Sequence, residues 1–332
     1  MSHDCLLSII VPVYNVEIYI RACIESIFRQ NLDENIFEVI IVNDGTKDHS
    51  MEVIQDIVTL HSNISIINQE NLSLSVARNN GIAKAKGEYI LMPDSDDLLI
   101  EDSIPILLEK AIASKADLVV ADFLEMTDAE IDKLTTIEQP PLIIQERIDN
   151  ELYLQDLNPN ECYVWNTLYK RSFLEENNIT FVPGISCQDV PFTNECYIRS
   201  KKSLKINILL NIYRRSQMSA TNVFNKKKCL DLCVAVASTW KLRNIEGLSD
   251  EMKTKLSDNV FVSFNLIFYV MQRGGQKSTE CREIFCYLNN LAPDLTFSHG
   301  IKQKMTMFIY KLSPVLYYSL RRIQYLFTSN NK

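Results

Sequence analysis

Glycine is scarce in this 332-residue chain, with 8 in all, so it is neither a repeat nor a low-complexity protein. The glycine-built signatures are missing too: no Gly-x-Gly-x-x-Gly, no Walker sequence and no Gly-x-Ser-x-Gly is present. Histidine is limited to four residues, His3, His49, His61 and His299, scattered at element ends, so histidine-based catalysis is not expected. The nine cysteines include no Cys-x-x-Cys. Cys229 and Cys233, and Cys281 and Cys286, sit at helical spacing with no histidine close by. We read them as reduced, mostly buried thiols of a cytosolic protein, and expect no disulfide framework or zinc site. No apolar run reaches the ~18 residues of a membrane span. The nearest, 260–271 and 305–320, are broken by Asn265 and by Lys311 and Pro314. The chain enters a strand by residue 6, which reads as no signal peptide. The net charge of -8 argues against nucleic acid as the main partner.

What is present is an ordinary globular composition, 46% hydrophobic and 23% charged, at a length that suits two domains or one domain with a large extension. The charge is uneven. From His299 onward there are six basic residues (Lys302, Lys304, Lys311, Arg321, Arg322, Lys332) and no acidic one, against 28 basic and 42 acidic residues before it. A basic, aromatic-rich tail on an acidic body suggests contact with an anionic surface.

One stretch organises the rest. Gly87-Glu88-Tyr89-Ile90-Leu91-Met92-Pro93-Asp94-Ser95-Asp96-Asp97 reads as a short buried strand ending in three carboxylates within four positions. Carboxylates that close raise one another's pKa unless something positive lies between them. An all-oxygen set suits Mg²⁺ or Mn²⁺, which would in turn hold a phosphorylated compound. The plain alternative is a solvated turn that caps the helix beginning near residue 100.

Around it, apolar strands are expected at Leu6–Val13, Phe37–Val42, Ile64–Ile67, Glu88–Met92 and Leu118–Ala121. Helices are expected between them: one carries Ile20, Ile24, Ile27 and Phe28; another carries Val53, Ile57 and Leu60 with Asp48 or Ser50 as its cap; others cover 74–86 and 103–115. This alternation over the first ~125 residues is that of an α/β, doubly wound, mostly parallel sheet. In such a sheet the strand ends meet at one edge, which brings Tyr14-Asn15, Asn43-Asp44-Gly45 and Asp94 to Asp97 together. Beyond 125 the pattern predicts a loop over 127–141 and a helix with Ile144, Ile148, Leu152 and Leu157. Then come helices near 171–178 and 190–200, a strand Leu204–Tyr213, and helices from about 226 to the end.

Several residues have two readings. Asp44 is a turn former or a hydrogen-bond partner for a nucleobase. Tyr14 packs or stacks on that base. Arg78 lies on a solvated helix face or binds phosphate or base in the cleft. Asp189 follows the Pro183-Gly184 loop; spacing alone favours a helix cap, and the functional reading is a general base. Of Arg214 and Arg215, one suits a diphosphate clamp.

Taken in order, these segments resemble glycosyltransferase family 2, the inverting nucleotide-sugar enzymes of GT-A fold. The resemblance covers roughly 6–220. It rests on Ser8-Ile9-Ile10-Val11-Pro12-Val13-Tyr14-Asn15, Val42-Asn43-Asp44-Gly45-Thr46-Lys47-Asp48, Ala77-Arg78-Asn79-Asn80-Gly81-Ile82, Gly87-Glu88-Tyr89-Ile90 and Asp94-Ser95-Asp96-Asp97. In the second half it rests on Trp165-Asn166-Thr167-Leu168-Tyr169-Lys170-Arg171, Gln188-Asp189 and Tyr213-Arg214. It implies that Pro12 and Tyr14 line a uridine pocket, Asp44 binds the uracil edge, Arg78 contacts the nucleotide and Asp94 reaches the ribose. It implies that Asp96, second Asp of the Asp-x-Asp motif, binds the divalent metal, that Asp189 is the catalytic base and that Arg214 helps hold the diphosphate. The implied domains are a catalytic domain over 1–220, with a nucleotide-sugar-binding half (1–125) and an acceptor half (126–220), and a helical extension over 221–332.

The implied activity is transfer of a hexose or N-acetylhexosamine from a UDP-sugar to a saccharide, or lipid-linked saccharide, of a bacterial polysaccharide. The implied place is the cytoplasm or the inner face of the membrane. Three positions depart from the family pattern: Gln188 replaces a common Glu, Ser73 a common Gly, and Thr167 a common Lys. The segment 301–328, with Met305, Phe308, Leu312, Leu316, Leu320 and Ile323 near one face, is either a peripheral membrane contact or an ordinary packing helix. Two other functions remain: a catalytically silent nucleotide-sugar binder or scaffold, and a nucleotidyltransferase, which would want a glycine- and lysine-rich loop that 12–20 lacks.

Overall fold

The computed structural model describes residues 5–215 and 224–329. In chain order the elements begin β1 (Leu7–Val13), α1 (Ile20–Phe28), β2 (Phe37–Asn43), α2 (Gln55–Leu60), β3 (Ile64–Asn68), α3 (Leu74–Lys84), β4 (Tyr89–Leu91), β5 (Leu98–Leu99), α4 (Ser103–Ser114) and β6 (Leu118–Met126). They continue with α5 (Asp128–Ile131), β7 (Ile144–Ile148), β8 (Thr167–Lys170), α6 (Arg171–Glu176), α7 (Asp189–Arg199) and β9 (Lys202–Arg214). Then come α8 (Lys226–Lys241), α9 (Asp250–Arg273), α10 (Ser278–Leu291), α11 (Gly300–Leu312) and α12 (Pro314–Ser329).

The chain forms two compact units. One comprises Met1–Gln155, Tyr163–Gly184 and Cys196–Gln217, and the other Asp156–Cys162, Ile185–Glu195 and Met218–Lys332. The division expected at 220 falls outside the described residues.

The first unit holds one sheet, ordered β3-β2-β1-β4-β8-β6-β9-β5, with β7 also on β9. The half from β3 to β4 is parallel, and its strands alternate with helices as the hydrophobic pattern predicts. All seven residues of β1 are buried, because helices cover both faces of a parallel sheet. Leu7, Ile9, Val11 and Val13 share a core with Ile20, Ile24 and Ile27 of α1 and with Ile104 and Leu107 of α4. Ile10 points to the other face, where a Cβ on Gly81 of α3 would lie 2.3 Å from its Cγ2. Gly87 is confined by backbone instead: a Cβ there would lie 2.4 Å from the Ser8 nitrogen and 2.5 Å from the Leu7 carbonyl carbon, and Ser8 Oγ accepts the Gly87 N–H.

Past β4 the sheet is mixed, and the sequence expectations need correcting. β8 enters antiparallel to both β4 and β6. It has four residues, too few to show a period. The helix expected through Ile144 and Ile148 is instead edge strand β7, followed by a π-helical turn over Leu152–Asp156. Isoleucines four apart satisfy both periods, and the unpaired edge of β9 at Lys202–Ile206 decides for strand. Asp48 does not cap α2. Its carboxylate accepts hydrogen bonds from Glu17 N, Ser50 N, Ser50 Oγ and Thr46 Oγ1, tying the loop after β2 to that after β1.

In the second unit α8, α9 and α10 surround an aromatic core. Phe268 stacks on Phe285 at 4.5 Å, and Phe264 meets Phe297 and Tyr310 at 5.2 and 5.1 Å. The tail is two helices rather than one, broken at Ser313-Pro314, where proline has no N–H to continue α11. Among the described residues no helix is long and apolar enough to cross a membrane. Six of the nine cysteines are buried.

The two glycine contacts give an ordered prediction. Gly81→Ala pushes on a movable isoleucine side chain and should cost about 1–3 kcal/mol, whereas Gly87→Ala pushes on backbone and should cost more. Urea unfolding of the two variants beside the parent checks the order; equal losses would contradict it.

Candidate active site

β2, β1 and β4 lie side by side and parallel, so their carboxyl ends share one edge. That edge carries Tyr14-Asn15 after β1, Asp44-Gly45 after β2 and Asp94 to Asp97 after β4, as expected. Pro12 is buried within β1, while Tyr14 is 41% exposed at its end.

Asp44 is buried, and its carboxylate accepts from Gln69 Nε2 at 2.7 Å, Leu72 N at 2.9 Å and Ser73 N at 3.2 Å. It therefore shapes the loop that leads into α3. Gly45 has φ +67, and a Cβ there would lie 2.8 Å from Asn71 N, so the turn after Asp44 needs glycine. Ser73 has φ +108, a region that favours glycine. Its Oγ lies 2.9 Å from Ser75 Oγ and accepts from Gly184 N at 3.2 Å, contacts that hold a serine in this backbone.

Arg78 is not on a solvated face. It is 2% exposed, donates to Asp94 Oδ1 at 2.5 Å and lies over the Phe181 ring. Its neighbour Asn79 exchanges two hydrogen bonds with the Phe181 backbone, which anchors α3.

The carboxylates of Asp94, Asp96 and Asp97 supply oxygens all within 4.8 Å of one another. Arg214, at the end of β9, braces them: its backbone N–H donates to Asp97 Oδ1 and its Nε to the Asp96 carbonyl. Its guanidinium also pairs with Asp128 and lies 4.7 Å over the Tyr19 ring. Burial, reinforced by the charge of Asp94, pushes the Asp96 carboxyl up to about 6. Burial and the charges of Asp94 and Asp96 push Asp97 up to about 9. Asp97 Oδ2 is buried without a hydrogen-bond partner. An orphaned oxygen in a group of three close carboxylates fits a hard divalent cation such as Mg²⁺ or Mn²⁺.

Asp189 is half-buried and is the first residue of α7, so the cap position falls to Gln188. It belongs to the second unit, where burial and the charge of Asp189 raise the Cys162 thiol.

Sequence reasoning placed Asp97 in the all-oxygen set but gave it no role of its own, although it is the most buried carboxylate of the three. It also passed over Gln69, which orients Asp44, and an aromatic group in which Trp165 stacks on Tyr213 and Tyr163 at 5.4 and 4.7 Å, with Phe123 edge-on at 4.8 Å. Aromatics two apart, at Tyr163 and Trp165, were the available signal.

The glycosyl transferase family 2 model matches residues 8–177. The chain belongs to this family. It is similar to the uncharacterized glycosyltransferase EpsJ of Bacillus subtilis, 35% identical over 225 residues, which are 66% of this chain and 63% of that protein. The match thus spans less than two thirds of that relative. A shorter match, 41% over 76 residues (22% of this chain, 17% of the other), is to the minor teichoic acid biosynthesis protein GgaA of the same organism. Among solved structures, S. aureus TarS 1–349 in complex with UDP-GlcNAc superposes with a TM-score of 0.71 at 15% identity, covering 96% of this chain and 91% of that one. The fold of this family 2 chain is GT-A, with carboxyl-terminal helices added.

Two outcomes follow for the family 2 site. Ser73→Gly should relieve backbone strain and stabilise the first unit by about 1 kcal/mol, read as a raised urea midpoint; a lowered midpoint would mean that the serine contacts outweigh the strain. The raised carboxyls hold protons that the unfolded chain has released. Their contribution to metal-free stability is therefore present below the ordinary carboxylate range and lost as pH rises through about 6 and about 9. Melting temperature without metal should fall across that window, and Asp97→Asn should remove the upper part of the fall. An unchanged slope in the variant would show that Asp97 is already ionised.

Proposed function

We propose that this chain is an inverting glycosyltransferase that transfers a hexose or N-acetylhexosamine from a UDP-sugar to a hydroxyl of a growing, lipid-linked bacterial polysaccharide. The observation that carries it is the meeting of Asp44, Tyr14 and the Asp94–Asp97 carboxylates at one sheet edge of a family 2 chain. The UDP-GlcNAc in the TarS complex supports a UDP-linked donor, and the name of GgaA supports a cell-envelope polymer as the acceptor class.

In this reading Tyr14 stacks on the uracil above Pro12, and Asp44 accepts a hydrogen bond from the base edge. Arg78 and Asp94 form a pair at the nucleotide, with Asp94 turned to the ribose. Asp96, with the orphaned oxygen of Asp97, would hold Mn²⁺ or Mg²⁺; when bound, the ion offsets charge on the UDP leaving group. Arg214, fixed by Tyr19 and Asp128, adds positive charge for the diphosphate. Asp189 takes the proton from the acceptor hydroxyl, whose oxygen attacks the anomeric carbon opposite the diphosphate. A single displacement inverts that carbon. Gln188 stands beside Asp189 where the family commonly has Glu.

The test is titration calorimetry with UDP-, GDP- and TDP-sugars, with and without Mn²⁺, together with donor turnover. One UDP-sugar should bind in a metal-dependent way, and Asp96→Ala should abolish that dependence. Asp189→Asn should lower turnover by about 10²–10⁴-fold with donor affinity unchanged. Turnover retained in Asp189→Asn would refute its role as base. Binding without turnover in the parent chain would make it a silent nucleotide-sugar binder.

A further inference from the structure

The two tail helices bury a mixed face, with Met307 beside polar groups and tyrosines, and leave a large apolar stripe exposed. In α11 the buried positions include Gln303, Thr306 and Tyr310, and the first and last of these are held by hydrogen bonds: Gln303 Nε2 donates to Asp258 and Tyr310 Oη to Asn289 at 2.7 Å. In α12 the buried Tyr317 and Tyr318 donate to Asn265 Oδ1 and to the Gln276 carbonyl. The large apolar side chains point outward instead. Ile301, Met305, Phe308 and Leu312 are 78, 59, 65 and 65% exposed, at a spacing of four, three and four that keeps them on one stripe. Across the break at Ser313-Pro314, Leu316, Leu320 and Ile323 repeat the spacing and are 48, 45 and 52% exposed. Single exposed apolar residues are commonplace; seven, in one stripe on each of two consecutive helices, mark an interaction surface.

Charge identifies the occupant. Lys302, Lys304, Lys311 and Arg322 are exposed beside the stripe, and no acidic residue follows Asp294. A second copy docked helix face to helix face would set lysines against lysines, since neither α11 nor α12 carries a carboxylate. An anionic phospholipid surface meets both requirements, since acyl chains take the apolar stripe and headgroups pair with the flanking cations. Neither helix is long and apolar enough to span a bilayer.

We propose that the outer face of α11 and α12 lies in the interfacial plane of an anionic phospholipid membrane, with Phe308 and Leu312 as its deepest insertions. The inference is independent of the donor assignment, because vesicle binding and nucleotide binding are read separately.

The experiment is co-sedimentation of the full chain with vesicles of phosphatidylcholine, with and without phosphatidylglycerol, in low and high salt. Variants are Phe308→Ser with Leu312→Ser, which change only exposed side chains, and Lys302→Glu with Lys304→Glu. Circular dichroism confirms that each variant folds. The parent should pellet with phosphatidylglycerol vesicles and be released by salt. The serine variant should partition about tenfold less or weaker still, and the glutamate variant should lose its preference for phosphatidylglycerol. Failure of the parent to pellet, or equal pelleting of all three proteins, would overturn the proposal. So would a parent dimer, seen by sedimentation velocity, that the serine variant dissolves: the face would then join two copies.

Discussion

The constraint on which the first unit depends is mutual repulsion among three carboxylates at the end of one buried strand. Asp94, Asp96 and Asp97 cannot all be ionised in close, part-buried positions without positive charge nearby. The fold supplies it from either side of the motif in sequence: Arg78 from α3, before it, grips Asp94, and Arg214 from the end of β9, well after it, braces Asp96 and Asp97. Neither arginine fully satisfies the group, since one oxygen of Asp97 has no hydrogen-bond partner. That deficit leaves the cluster short of positive charge, a donor set that fits a cation better than a closed ion-pair network would.

The same economy of groups runs through the neighbouring loop. Asp44 is one carboxylate that organises three donors, and the loop it shapes passes through a glycine-like conformation at Ser73. Ser73, Ser75 and Gly184 then lock the loop together. The loop is thus set by contacts within the chain itself; under the function proposed above, such preorganisation would lower the cost of binding a nucleotide.

Legibility differed between the halves for a physical reason. β1 and β4 are fully buried and β2 nearly so, so each is a continuous apolar run, and the residues at their ends are polar because the run stops at the crevice. Tyr14, Asp44 and Asp94–Asp97 could be placed together from that pattern alone. β8, with four residues, and β5, with two, carry no period. Ile144 and Ile148 fit helix and strand equally, and only the open edge of β9 chose between them. Asp48 sits where a helix cap belongs, yet its carboxylate is taken by Thr46 and Ser50 of its own loop and by Glu17 N of another. In the tail the apolar positions were visible, but whether that stripe faced in or out was not.

Local order of residue types therefore determined the parallel half of the sheet, the edge at which its strands end and the chemistry gathered there. These follow from hydrophobic periodicity and from the cost of burying charge, both of which are written in neighbouring residues. Tertiary structure alone decided that Arg78 is buried, that Arg214 reaches back to the acidic cluster, that Asp97 is left with an orphaned oxygen, and that α11 and α12 turn their apolar stripe outward. Each of those depends on which distant segment fills the space beside a residue, and no spacing within a segment encodes its partner.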